Sequence, residues 1–365
     1  MEELIVEGLI NVGNLYRFKK VFEKAEKGRN ISVGFIGGSI TRGALSSSPE
    51  KCYAHLVWRW WGSKFPTITV KYINAGIGAT TSQFGVARVE KDLLVENPDI
   101  VFVEFSVNDE GNEFFQETYE GLIRKIYGYK SKPAIILINN MYYDTGKTAQ
   151  EFHNSVGKAY QLPIVSIKES LYKEVVKGTF QVRDLTNDML HPNDLGHYLV
   201  AKIICEFLEE LVENTDKEWV EMEIPAVITP NRFENSIIIN NLSIQAKMKG
   251  FKIDLQEQID MSDVFRKGWY ADEKGAYIEL EVYGSNVAVQ YRKTINKPAP
   301  VASVSLDGCE VCELDGNYEE DWGDCLYLQM ISTDLERCNH KVRFEIKNVN
   351  KENITPFYIV SLIVS

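Results

Sequence analysis

From Asn30 to about Asn214, short and nearly continuous apolar runs alternate with longer amphipathic stretches, and this alternation constrains the fold more than any other feature of the chain. A strand that is apolar on both faces needs cover on both faces. A helix between successive strands provides it, through a crossover that leaves the strands parallel. The expected strands are Ile31–Ile36, Ile68–Ile73, Ile100–Phe105, Ala134–Ile138 and Ile164–Ile167, with helices over Tyr53–Lys64, Gln83–Glu96 and Glu117–Lys130. A last helix follows, with Pro192 in its first turn and Leu195, Leu199, Ile203, Phe207 and Leu211 along one face.

After Glu223-Ile224-Pro225 the texture changes. Ser236–Ile239, Ala276–Val282, Asn286–Tyr291, Val301–Leu306, Lys341–Ile346 and Phe357–Val364 are β-branched or aromatic, often alternate in polarity, and are separated by turn signals such as Asp307-Gly308 and Gly284-Ser285. An antiparallel β-sandwich is expected there. At 365 residues the chain is long for one domain. The expected division is an N-terminal extension over 1–29, an α/β domain over 30–222 and a sandwich over 223–365. Neither region shows an internal repeat.

A formal charge of −12 with no basic patch argues against nucleic acid as a partner. The opening MEELIVEGLINVGNLYRFKK lacks the pattern of a secretory leader, and no apolar stretch reaches bilayer length, so neither secretion nor membrane insertion is expected and the cytoplasm is the default. Reduced thiols are then the expectation for the six cysteines. Cys309, Cys312, Cys325 and Cys338, with His340, invite a zinc reading. A second C-x-x-C is missing, and residues three apart on a strand face opposite ways, so no metal is expected.

Chemistry concentrates at the ends of the expected strands. Gly37-Gly38-Ser39-Ile40-Thr41 follows the first strand, where small residues present a serine to the crevice at the carboxyl edge of the sheet. A serine hydroxyl needs a base, and among five histidines His191 stands in Asp188-Met189-Leu190-His191. Asp188 can accept a hydrogen bond from Nδ1–H while Nε2 stays free for the serine. Asn108, in Phe105-Ser106-Val107-Asn108-Asp109, can offer its amide to an oxyanion, and the loop from Asn74 to Ser82 can offer a backbone N–H. His197 is read as holding the last loop to the domain, His55 and His153 as surface or helix residues, and Trp58, Trp60 and Trp61 as core more than as a sugar subsite. Phe114-Phe115 is open between the crevice and the following helix.

In this order the blocks resemble those of the SGNH/GDSL hydrolases over roughly residues 30–214. The resemblance implies a flavodoxin-like three-layer α/β/α domain followed by a jelly-roll-like sandwich. It also implies a cofactor-free serine esterase with Ser39, Asp188 and His191 as triad and an oxyanion hole from the Ser39 N–H, Asn108 and either Gly78 or Ala79. Ala79 falls where the family's glycine is expected when Asn74 and Ser82 fix the register, and Gly78 serves if the register slips. The Gly-Gly-Ser-Ile-Thr variant is similar to one found among carbohydrate esterases, which implies a short acyl group, acetyl first, on a sugar. Acyl transfer, lipid or thioester hydrolysis on the same triad, and a non-catalytic carbohydrate-binding protein, are the rival readings. Homo-oligomerisation stays open.

Overall fold

Each apolar run of the first region is a strand. In the computed structural model, which describes residues 8–214, 218–349, 352 and 355–365, these strands are β2 (Ile31–Gly37), β3 (Val70–Gly76), β4 (Ile100–Glu104), β5 (Ala134–Asn139) and β6 (Ile164–Ser166). They pair in parallel, and β1 (Leu9–Asn11) adds an antiparallel edge beside β6, giving the order β1-β6-β5-β4-β2-β3. Every residue of β2, β4, β5 and β6 is buried, whereas β3, at the edge, is half-exposed. The chain leaves β2 for β3 on one side and then crosses to β4 on the other. Strand order therefore reverses at β2, and the crevice of such a sheet opens at the carboxyl ends of the strands flanking that reversal.

The helices are α1 (Tyr16–Glu26), α2 (Ser39–Arg42), α3 (Tyr53–Lys64), α4 (Ser82–Asp92), α5 (Glu113–Tyr127), α6 (Gln150–Ala159) and α7 (Asp194–Asn214). Helix α5 starts earlier than expected because the Asn112 side chain caps it, accepting the Phe115 N–H at 3.0 Å. Helix α7 starts later. Asn193 Oδ1 accepts the Gly196 N–H at 3.0 Å, so Asn193 caps the helix and Pro192 stands before it. Leu195 is exposed, and the buried face runs through Leu199, Ile203, Phe207 and Leu211 with Val200, Ile204 and Leu208 beside them. The described part of the N-terminal extension belongs to the α/β unit, where Phe18, Val21, Phe22 and Ala25 of α1 join its core; residues 1–7 lie outside the described residues.

The chain divides into units 1–234 and 235–365, so the first unit runs twelve residues beyond the expected boundary at 222. Carboxylates on α5 account for the difference. Buried Glu120 accepts the N–H groups of Ile228 and Thr229, both at 2.8 Å, while Glu117 accepts the Arg232 N–H and pairs with its guanidinium at 2.7 Å. These bonds fasten segment 223–234 to the helix. The composition shift at Glu223 falls inside a segment, 218–236, that has no helix or strand.

The second unit is built from two antiparallel sheets. One has the order β15-β12-β17-β10-β9, with β7 also paired to β17; the other has the order β14-β13-β16-β11-β8. Strands β11 (Tyr277–Gly284), β12 (Val287–Lys293), β13 (Val301–Leu306), β16 (Cys338–Asn348) and β17 (Phe357–Val364) match expected runs, as does β7 (Ile237–Ile239). Alternation supplies its core: Ala302, Val304 and Leu306 of β13 turn inward with Val342, Phe344 and Ile346 of β16. The strands not foreseen are β8 (Lys247–Lys249), β9 (Lys252–Ile253), β10 (Trp269–Ala271), β14 (Cys309–Asp315) and β15 (Cys325–Ser332). All but β10 are edges, and the charged residues of β8, β9 and β14 mask the strand signal there, whereas β15 carries no charge.

One buried charge organises the crevice end of the α/β sheet. Arg88 of α4 has no exposed side-chain surface, and its guanidinium donates to Ala75 O at 2.7 Å and Gly37 O at 3.1 Å, the closing carbonyls of β3 and β2. Arg88→Met should destabilise the protein by about 3 kcal/mol, because two carbonyls and Asp92 lose a buried donor. A urea titration followed by tryptophan fluorescence should show the midpoint fall, and an unchanged midpoint would make the guanidinium dispensable.

Candidate active site

Ser39 is the first residue of α2, directly beyond β2, and three glycines allow its approach. A Cβ on Gly37 would lie 2.2 Å from Thr41 Oγ1 and 2.4 Å from Glu104 O; one on Gly38 would lie 2.2 Å from Asn108 Oδ1; one on Gly76 would lie 2.4 Å from Arg42 N. The nucleophile turn, the β3 end and the Asn108 amide thus occupy space that any side chain would fill.

Asp188 and His191 sit in a turn closed by a bridge between Thr186 and Pro192. Asp188 Oδ1 folds the turn locally, accepting the N–H groups of Leu190 at 3.0 Å and His191 at 2.8 Å. Its Oδ2 takes His191 Nδ1 at 2.6 Å, and His191 Nε2 lies 2.7 Å from Ser39 Oγ. Partial burial raises the Asp188 carboxyl, but the hydrogen bonds from the His191 ring and the His191 and Leu190 amides outweigh it and hold the group below the usual range. A hydroxyl, an imidazole and a carboxylate are therefore in line, with the carboxylate charged and the imidazole tautomer fixed for Nε2 to accept a proton.

The remaining expected residues border Ser39. A Cβ on Gly78 would stand 3.7 Å from Ser39 Cβ. Ala79 adopts φ +55, the left-handed region that favours glycine. The Asn108 amide lies against Gly38, its Oδ1 buried without a hydrogen bond and its Nδ2 with no protein partner among the described residues.

His197 is buried neutral, its pKa pushed down to about 4, with burial the main cause. It accepts the Tyr53 N–H at 3.3 Å and donates to Ala44 O at 3.1 Å, holding the segment after α2 to α3 and α7. Trp61 is buried, stacked on Phe22, while Trp58 Nε1 donates to Val70 O and Trp60 Nε1 to Glu209; all three pack with the core. Phe114 and Phe115 belong to α5, where Phe114 packs edge-on against buried Phe233. Among the described residues no three His, Cys, Asp or Glu side chains are grouped to hold a metal ion. His340 instead bonds Asp307 at 2.7 Å.

Sequence reading missed three buried polar groups behind the crevice: Arg88, Glu104, and the Asp109–His153 pair at 3.0 Å. His153 lies on a helix as expected, but it is fully buried. Only Asp109 carried a signal, as the neighbour of Asn108.

An α/β sheet that brings a serine, an asparagine, a glycine-bearing loop and an Asp-x-x-His turn together defines a serine acylhydrolase of the SGNH type. The sequence profile of the GDSL-like lipase/acylhydrolase family matches residues 35–199. A solved two-domain esterase (CEX) active on acetylated mannans is 46% identical, with a TM-score of 0.97 and 99% of this chain and 98% of that one covered. The CEX structure co-crystallised with mannopentaose gives 0.96 at 46% identity, covering 99% and 97%. An acetylxylan esterase of Geobacillus stearothermophilus is 24% identical over 178 residues, 43% of this chain and 77% of that enzyme. The chain belongs to the GDSL-like lipase/acylhydrolase family, and it is an esterase.

Glu104, the last residue of β4, is fully buried, and its pKa is pushed up from 4.5 to about 7, by burial first and the charge of Asp109 after it, against the hydrogen bond from Ser106. Between those values the folded protein keeps a proton that the unfolded chain has released, so stability falls as pH rises through this window. Glu104→Gln should remove that slope and leave the variant more stable than wild type near pH 8 by on the order of 2 to 3 kcal/mol. Parallel pH-stability curves by urea denaturation would refute the assignment.

Proposed function

We propose that this esterase removes acetyl groups from a carbohydrate, with acetylated mannan as the first candidate, through an acyl-enzyme on Ser39. The observation that carries the reading is the Ser39–His191–Asp188 line at 2.7 and 2.6 Å. The 46% identity to an esterase active on acetylated mannans, over nearly the whole of both chains, supports the substrate class.

Ser39 Oγ attacks the ester carbonyl carbon while His191 Nε2 takes its proton, and the carbonyl π pair moves onto oxygen. The oxyanion is met by the Ser39 N–H, the Asn108 Nδ2 and a backbone N–H from the 77–81 loop. Ala79 is the preferred third donor, because the left-handed φ of +55 falls there, at the position where the family's glycine is expected, and Gly78 has no such φ. When the intermediate collapses, the sugar oxygen leaves with the proton from His191. Water then attacks the acyl-enzyme as His191 takes its proton; the Ser39 Oγ–acyl bond breaks, His191 returns the proton to Ser39 Oγ, and acetate departs. Asp188, held charged, keeps the imidazole oriented and stabilises the imidazolium in both halves.

Acetate release from acetylated mannan should be readily measured for the wild type and should drop about 10⁴-fold or more in Ser39→Ala, whose fold is unchanged. A folded Ser39→Ala enzyme with substantial residual activity would remove Ser39 from the chemistry. Acyl length gives a second test. Burying each added methylene is worth about 0.8 kcal/mol only where an apolar channel receives it, and the Phe114–Phe115 pair is engaged with α5 and Phe233. In a nitrophenyl ester series kcat/KM should be highest for acetate and fall steeply by eight carbons; a rise with chain length would overturn the sugar-acetate reading.

A further inference from the structure

Both carboxylate oxygens of Asp109 are engaged, and neither bond belongs to the Ser39–His191–Asp188 line. Oδ1 accepts the backbone N–H of Ser82 at 2.8 Å, and Oδ2 meets His153 Nε2 at 3.0 Å, with both side chains of that pair fully buried. Ser82 is the first residue of α4, and Thr81 before it makes no capping bond with its own side chain. The buried N–H at the start of α4 is therefore satisfied by a carboxylate 27 residues further along the chain.

That bond joins two loops. Helix α4 begins directly after residues 77–81, the loop that carries Gly78 and Ala79. Asp109 directly follows Asn108, and the N–H groups of both converge on Phe105 O, at 3.0 and 2.9 Å. The carboxylate thus grips the end of one donor loop while its own backbone belongs to the other. His153 braces it from behind: its ring stacks on Tyr119 with centroids 3.7 Å apart and planes 4° from parallel, and Nδ1 has no hydrogen-bond partner among the described residues. A carboxylate partner requires the proton on Nε2, aimed at Asp109.

We infer that Asp109, braced by His153, is a positioning residue that fixes the spacing between the Asn108 amide and the Gly78–Ala79 N–H groups, so that both meet one oxyanion. The inference rests on the oxyanion reading proposed above. Donors to an oxyanion act mainly in the transition state, so loosening their spacing lowers kcat and spares KM.

The test is a double-mutant cycle on acetate release. Asn108→Ala should lower kcat about a hundredfold and Asp109→Ala about thirtyfold, each with KM changed less than about threefold. Because Asp109 acts partly through Asn108, the double variant should retain at least about tenfold more activity than the product of the two losses. Asp109→Asn, which can still accept the Ser82 N–H, should stay within about threefold of wild type. Ser82→Pro removes the donated N–H, together with the hydroxyl, at a position where proline is tolerated, after a Thr81 already extended at φ −103 and ψ 172. It should reproduce most of the Asp109→Ala loss, and it carries the test if Asp109→Ala does not fold. Ser82→Ala keeps the N–H and isolates the share of the Ser82–Thr118 hydroxyl bond, 2.7 Å long. Losses that multiply in the double variant, or wild-type kcat in Ser82→Pro, overturn the inference and leave Asn108 in its role. An Asn108→Ala enzyme with undiminished kcat overturns the oxyanion reading, and the inference with it.

Discussion

The close approach of the carboxyl ends of β2 and β3 is the constraint on which the site depends. Gly76 lets the end of β3 meet the turn after β2, and Gly37 and Gly38 leave room beside that turn for Thr41, the end of β4 and the Asn108 amide. Arg88 ties β2 to β3 by binding a carbonyl at the end of each. A guanidinium suits this place: it is planar, always charged, and can serve several acceptors at once. Asn74 adds a second tie, donating from Nδ2 to Thr41 O at 2.8 Å while its Oδ1 accepts the Gly76 N–H at 2.9 Å. The serine is presented on a turn that the strand ends leave no freedom to move.

Behind that turn lies a group of buried polar side chains bonded to one another. Ser82, Glu104, Ser106, Asp109, Thr118 and His153 are all buried, and each has at least one hydrogen bond to a neighbour in the same region. In a low-dielectric interior such bonds are strong and their loss is costly, so a network of this kind specifies one arrangement of loops instead of several. The chemistry lies in front of it. His191, proposed to carry the proton, and Asp188, proposed to orient it, remain partly exposed.

The two units solve the burial problem differently. In the α/β unit, strands apolar on both faces are enclosed by helices, and polar residues collect at strand ends where they become functional. In the second unit, β13 and β16 alternate, turning apolar residues into a core shared by the two sheets, while β17 is buried along its whole length. The four edge strands, β8, β9, β14 and β15, were among those that periodicity did not show, and β8, β9 and β14 carry the charges that discourage edge pairing with another chain.

What the sequence determined by itself was local in origin. Apolar periodicity located the five parallel strands, the helix Tyr53–Lys64 and the core strands of the sandwich, because burial imposes that periodicity directly. Spacing also made the Asp188–His191 turn legible, since a carboxylate three residues before an imidazole can reach both its ring and its backbone. The tertiary structure decided what depends on contacts distant in sequence. The reversal of strand order at β2 brings Ser39, Asn108 and His191 together, and Glu117 and Glu120 extend the first unit to residue 234. It also turned a helix arginine and a helix histidine, unremarkable in sequence, into the internal ties of the crevice. A buried polar residue is identified by its partner, and the partners here lie 13 to 115 residues away.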